Sequence, residues 1–467
     1  MAIGIGKTAM KKYGRILHAM LLMVLAVACK PKNTVDFDKE QAHIVIAEAW
    51  ENTYPAILKK IKAPIFRDTT VVITDSVDFR NRVNEQITAL SKAGGGMVRV
   101  VAGYYEVKGS IFLKSNIRLQ LDEDVTLRFS VNPEDYLPVV KSRWEGTFLM
   151  NYTPLLYAIG AKNIAITGKG LIDGRAGDFW HGWKEKQDPD KQLLRKMGND
   201  KVPLKKRVFG AGHYLRPSAI EFIDCQNILL EDFTVKGSPF WTVHPVLSEN
   251  ITIRGLTIGA GTTNDDGIDP ESCKNVLIEA CAITTHDDCI AIKAGRDQDG
   301  WGRPPSENII VRNTSFETQV GSGFCIGSEM SAGVRNVFVE NCQLGNSEKH
   351  AFQFKSNPDR GGFITQVFMR HITVGKVKKG FEFTTDYKGW RGNAYFTKYR
   401  DFYFQNIHIK EATEAPIVVE GRSEEPIQRV YFENCDIDSS PQAEVLLNAT
   451  DVLFENSKIN NNLLPTN

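Results

Sequence analysis

The chain has 467 residues, with 57 Lys+Arg against 56 Asp+Glu, 42% hydrophobic residues, 38 Gly and 8 Cys. A formal net charge of +1 over that length excludes a strongly basic nucleic-acid binder and a highly charged disordered chain. The cysteines are too dilute to build a disulfide scaffold. What remains is a large folded protein of ordinary composition.

The first 28 residues hold Lys7, Lys11, Lys12 and Arg15, no acidic residue, and an apolar run from Ala19 to Ala28. A basic start, an apolar stretch of about ten residues and small residues at its end mark a secretory signal. The run is shorter than the roughly 20 residues needed to span a bilayer. Ala26-Val27-Ala28 before Cys29 resembles a bacterial lipoprotein signal, although Leu25 lies one place too far from the cysteine. That resemblance implies export to the periplasm or cell surface and a membrane attachment only through a lipid on Cys29. Without this leader the balance becomes 53 basic against 56 acidic residues, a net charge of −3.

Residues 29–92 read as a lead-in and cap. AHIVIAEAW and FRNRVNEQITALSKA have helical patterning, and the second is placed to close the open end of a stack of repeats. Residues 93–467 read as one domain. From Asn163 a nine-residue pattern recurs, as NIAITGKGL, NILLEDFTV at Asn227, NITIRGLTI at Asn250, NVLIEACAI at Asn275, NIIVRNTSF at Asn308 and NVFVENCQL at Asn336. It continues as QVFMRHITV at Gln366, DFYFQNIHI at Asp401, RVYFENCDI at Arg429 and DVLFENSKI at Asp451. Each copy alternates with period two and is rich in Val, Ile and Phe, which is strand chemistry. Short strands at solenoid spacing, with almost no helix between them, predict an all-β parallel β-helix. In such a stack the leading Asn side chains form an amide ladder. Cys281, Cys342 and Cys435 occupy one interior slot as small hydrophobes.

Four segments follow ladder strands at similar intervals: NDDGIDPES at Asn264, HDDCIAIKAG at His286, GSGFCIGSE at Gly321 and HAFQFKSNP at His350. Stacking them predicts one column with Asp266, Asp288, Gly323 and Ala351 and another with Asp265, Asp287, Ser322 and His350. Lys355 falls two coils beyond the aspartates. Asp-Gly and Asp-Asp also make ordinary turns, but three aspartates on two adjacent coils repel, and one pKa should rise.

Asn264 to Asp269 and Asp287-Asp288-Cys289 resemble the first two signatures of glycoside hydrolase family 28, the polygalacturonases. ITGKGLIDG and IAIKAGRD add to the likeness. The resemblance implies a right-handed parallel β-helix that hydrolyses α-linked galacturonic acid in pectin with inversion. Asp287 would be the general acid, and Asp266 and Asp288 would activate the water. The family's third signature, Gly-His-Gly, reads Gly321-Ser322-Gly323, and its fourth, Arg-Ile-Lys, reads Gln353-Phe354-Lys355. The substrate-binding set expected from this comparison is Lys355, Ser322 and Gln353, with His350 as a substitute for the lost histidine. Glu329, Arg296 and Arg360 are further candidates, the arginines through a bidentate fork.

Trp180, Trp183, Trp241, Trp301 and Trp390 are placed to stack on sugars or pack in loops, and His244 and His286 to line a polar wall. No cofactor and no metal site are expected, and a monomer acting on a pectic poly- or oligosaccharide is. A rhamnogalacturonan hydrolase is the alternative within the family. Outside it stand a β-helix pectate lyase, with Asp265, Asp266, Asp287 and Asp288 as calcium ligands, and a non-catalytic surface glycan-binding protein.

Overall fold

The computed structural model describes Met1 and residues 37–465; the expected signal and Cys29 lie outside the described residues. The ten-copy pattern forms the first of three parallel strand stacks. Its register runs Ile164, Ile228, Ile251, Val276, Ile309, Val337, Val367, Phe402, Val430 and Val452, one residue over the next. The second apolar position of each copy makes the second stack, from Ile172 through Val235, Ile258, Ile283 and Phe316 to Leu344. The third stack carries Val243, Ile268, Ile290, Phe324, Phe352, Phe381 and Ile417 in one row. All these side chains are buried in one continuous core, so the fold is a right-handed parallel β-helix.

The repeat begins with Asn for a conformational reason. Asn163, Asn227, Asn250, Asn275, Asn308 and Asn336 all take positive φ, between 54° and 60°, a region that Asn tolerates better than other residues with a Cβ. Their amides form the expected ladder: Asn163 donates to Asn116 at 2.8 Å, Asn227 to Asn163 at 2.8 Å, Asn250 to Asn227 at 3.1 Å and Asn308 to Asn275 at 2.9 Å. One rung is broken, where Asn275 donates to Glu249 at 3.3 Å instead. Cys281, Cys342 and Cys435 are buried in the core as free thiols.

The two helical segments do different jobs. Phe79–Lys92 buries Phe79, Val83, Ile87 and Leu90, an apolar stripe at helical spacing, against the first strands Gly96–Val100 and Gly103–Val107. It caps the coil end as expected. Lys39–Glu48 and Tyr54–Lys60, joined by a π-turn at Ala49–Thr53, instead strap the side of the coils. Phe338, Phe368 and Tyr403 stack on the outer face with centroids 5.1 Å apart. Trp50 and Tyr54 cover that apolar stripe at 5.1 and 5.5 Å from Phe338.

The site depends on the third stack and on three excursions beside it. These are the antiparallel hairpin Val140–Trp144/Thr147–Asn151, a segment containing the helix Asp188–Asn199, and a loop at 386–397. The register corrects one expectation. Ile290 lies over Phe324 and Ser322 over His350, so Asp288 aligns with Ser322 and not with Gly323. The neighbour of Asp287 is therefore Gly321: a Cβ placed there would lie 2.0 Å from the Asp287 carbonyl carbon. Core pairing of Ile290 with Phe324 sets this register, because a one-residue slip would turn the apolar set outward.

Candidate active site

Asp266, Asp287, Asp288, Lys355, Arg296, Glu329 and Arg360 line one cleft of about 400 Å³. Nine Lys and Arg side chains line it against five carboxylates, so a chain of near-zero net charge presents a cationic cleft. The aspartates come from two adjacent coils. Asp266 leads into the bridge at Ile268, and Asp287 and Asp288 precede Ile290–Ile292.

The two buried aspartates are tuned in opposite directions. Burial, reinforced by the charge of Asp269, raises the Asp266 pKa well above the ordinary carboxylate range, against the pull of Lys293. Asp269 is itself pushed up to about 7, chiefly by burial. Burial also works against an ionised Asp288, but Lys355 and Lys293 overcome it and hold that carboxyl well below its usual range. Its Oδ2 accepts from Lys355 Nζ at 2.8 Å and from the Cys325 thiol at 3.1 Å, and its Oδ1 from the Ser322 N–H at 2.8 Å. Asp287 is partly exposed. It accepts from Asn264 Nδ2 at 3.3 Å and from the Asp288 N–H at 3.1 Å. The carboxyl that burial raises is Asp266, which the family resemblance assigns to activating water and not to the general acid.

Asp265 is a brace. It accepts from the N–H groups of Gly261, His286 and Asp287 at 2.6 to 2.9 Å and ties the two signature loops together. Beyond the C-terminal ends of the catalytic strands, Glu329 bonds Arg296 Nη1 at 2.9 Å, with Lys293 Nζ at 3.5 Å. Arg360 donates to the Ser328 carbonyl and to Asp297 at 2.7 and 2.6 Å.

A family model described as "Glycosyl hydrolases family 28" matches residues 206–457. The chain belongs to glycoside hydrolase family 28. It is 30% identical to a probable polygalacturonase of Vitis vinifera over 388 residues, which is 78% of this chain and 71% of that protein. It is 26% identical over 378 residues to an exo-poly-alpha-D-galacturonosidase of Dickeya chrysanthemi, covering 72% of this chain and 61% of the relative. Among solved structures, a hyperthermoactive exopolygalacturonase from Thermotoga maritima matches with a TM-score of 0.83 at 36% identity, covering 89% of this chain and 97% of that one. The family-28 chain is a pectin-hydrolysing glycoside hydrolase of the polygalacturonase family.

Three of the expected substrate-binding residues do not line the cleft of this family-28 protein. Ser322 is fully buried, and its hydroxyl donates to Gln353 Oε1 at 3.2 Å. Gln353 in turn donates to Glu382. His350 aligns with Ser322, yet its ring faces Glu382 at 3.2 Å, and burial lowers its pKa to about 4. These three form a polar layer behind the floor, with Ser322 touching Asp288 through its backbone. The tryptophans also divide. Trp180 and Trp183 are core residues, Trp301 donates to the Arg360 carbonyl, and Trp390 is exposed. Trp241 lines the cleft beneath Lys293, whose Nζ lies 4.5 Å from the ring centroid. His244 is no wall residue, being buried between Glu221 and Glu271, and His286 meets Asp265 through its backbone.

Sequence reasoning missed Lys293, although IAIKAGRD was singled out. Its Nζ stands 3.4 Å from Asp266, 3.7 Å from Asp269 and 3.5 Å from Glu329. Glu145 and Arg195 were missed as well. They lie on the hairpin and the helix Asp188–Asn199, outside the repeat, where no periodicity points to them.

Proposed function

We propose that this family-28 enzyme is an inverting exo-acting hydrolase that removes galacturonic acid from the end of an α-linked galacturonan. The supporting observation is the opposite tuning of two carboxyls beside a third that reaches solvent. Asp287 gives its proton to the glycosidic oxygen as the C1–O bond breaks. Water attacks C1 from the other face and loses its proton to the Asp288 carboxylate, which Lys355 keeps ionised. Asp266, backed by Asp269 and Lys293, holds that water from the opposite side. A general acid and a general base set on two faces of the sugar give inversion, and proton transfers of this kind contribute about 10²–10⁴-fold each.

The hairpin supports exo action. Its tip, Glu145-Gly146, sits directly on the wall of the cleft: the Gly146 carbonyl accepts from the Arg296 N–H at 3.0 Å. A Cβ on Gly146 would lie 2.8 Å from Arg296 Cβ and 3.0 Å from Glu329 Cβ. A cleft closed this way accepts a chain end more readily than a chain middle. The basic leader and its short apolar run support export, toward a polymeric substrate found outside the cell.

Product analysis on polygalacturonate, rhamnogalacturonan and defined oligogalacturonides tests the reading. Monomeric galacturonate released first as the β-anomer, followed by NMR, is the expected result. Oligomeric products overturn exo action, and release of the α-anomer overturns inversion. An unsaturated product absorbing in the ultraviolet identifies a lyase, and no new reducing ends identify a binding protein.

A further inference from the structure

Two arginines divide the catalytic cleft from a second cavity. Arg195, on the helix Asp188–Asn199, and Arg296, three residues beyond Lys293, line both the cleft and an adjoining cavity of about 360 Å³. Each spends one terminal nitrogen on a glutamate: Arg195 Nη2 donates to Glu145 at 2.6 Å and Arg296 Nη1 to Glu329 at 2.9 Å. Among the described residues Arg195 Nη1 and Arg296 Nη2 have no hydrogen-bond partner, and the Nε of each is buried without one, Asp297 Oδ2 lying 4.0 Å from that of Arg296. Arg296 is only 6% exposed. Buried donors are seldom left unused, because each loses its water without recovering a bond.

We infer that Arg195 and Arg296 together form the carboxylate receptor for the galacturonosyl residue enclosed under the hairpin tip. This rests on the polygalacturonase reading and adds to it the residues that select a uronic acid over a neutral sugar at that position. A guanidinium presents paired N–H groups in a plane that matches a carboxylate. Two such groups with unspent donors, lining one cleft, bind one carboxylate with charge-assisted hydrogen bonds. Lys355 spends one of its three N–H donors on Asp288 at 2.8 Å and sits as a point charge, without the planar fork that matches a carboxylate. Arg360 cannot either, since its nitrogens are committed to Ser328 and Asp297. Glu145 and Glu329 hold the two forks, and Glu145 Oε2 also stands 3.8 Å from Arg296 Nη1, so the forks adjoin at that carboxylate.

The test compares trigalacturonate with its analogue carrying galactose, the carboxyl-reduced sugar, at the non-reducing end. In the wild-type protein kcat/KM should favour trigalacturonate, and Arg195→Gln and Arg296→Lys should each cut that ratio by about 10- to 100-fold, the size expected for charge-assisted hydrogen bonds. Glu145→Gln removes the charge of the hairpin ion pair but keeps an amide oxygen that can accept from Arg195 Nη2, so the fork stays held and the ratio should be kept. A ratio unchanged in the arginine variants overturns the inference, as does an equal fall in Glu145→Gln, which would make Arg195 a brace for the hairpin. Calorimetric binding of D-galacturonate against D-galactose gives the same comparison without turnover. A wild-type protein that binds galacturonate selectively but does not cleave trigalacturonate overturns the polygalacturonase reading and leaves the receptor standing.

Discussion

Replacing Lys355 by Met separates two jobs a cleft lysine can do. Lys355 Nζ lies 2.8 Å from Asp288 Oδ2, with the two side chains 9% and 4% exposed. At that distance an effective dielectric of about 20 gives roughly 6 kcal/mol of attraction. Desolvation offsets part of it, and removing one partner of a buried pair typically costs about 3–5 kcal/mol. At 1.36 kcal/mol per pKa unit, the Asp288 pKa should rise by about 2–4 units. Lys293 remains nearby and favours the lower end of that range. In the proposed mechanism Asp288 is ionised to accept the proton of water, so a raised pKa moves the acid limb of kcat/KM upward by about 2 units. The loss of activity should be largest in acid and shrink as pH rises. The assay is reducing-end release from polygalacturonate by Lys355→Met and wild type across the pH range where wild type is active. A loss that is the same at every pH, with the acid limb unmoved, would refute the argument and assign Lys355 to the substrate alone.

Asp287→Asn should lower kcat by about 100- to 10,000-fold with the melting temperature within a degree or two of wild type, since Asp287 accepts only two hydrogen bonds; thermal melts beside single-turnover assays check this. His244 lies between Glu221 and Glu271, whose hydrogen bonds overcome the opposing effect of burial and lift its pKa to about 9. Its folded value exceeds its unfolded one, so its contribution is complete below about pH 6.5 and disappears as pH rises through about 9. That contribution is roughly 3 kcal/mol, and denaturant titrations of wild type and His244→Gln at both ends of the window should converge at high pH. Gly146→Val forces a branched side chain into a position at φ +77° with Arg296 2.8 Å away. Lifting the hairpin tip should shift the products from single sugars toward oligomers, read by chromatography of early digests.

The sequence by itself determined the coil and the meeting of three aspartates on it. Ten copies of one alternating pattern leave no other way to bury the apolar rows, and a leading Asn suits the left-handed corner in six of them. The NDDGID and HDDC segments follow those rows at a constant interval, so Asp266, Asp287 and Asp288 had to meet on one face. Register was less legible. Whether Asp288 lies over Ser322 or Gly323 depends on how Ile290 seats on Phe324, and a local pattern cannot count the residues absorbed in the turn between.

Only the tertiary structure decided which charges are spent. Lys355 reads in sequence as a substrate lysine, yet its amine is engaged by Asp288. His350 occupies the expected column but faces Glu382. Lys293 joins the site because Asp266 and Asp269 reach it from the coil on one side and Glu329 from the coil on the other. Glu145 and Arg195 belong to excursions whose path over the cleft is fixed by long-range packing and ion pairs, and no repeat encodes that path. The strand period sets which residues share a face; electrostatics across distant coils sets which of them remain free to meet a substrate.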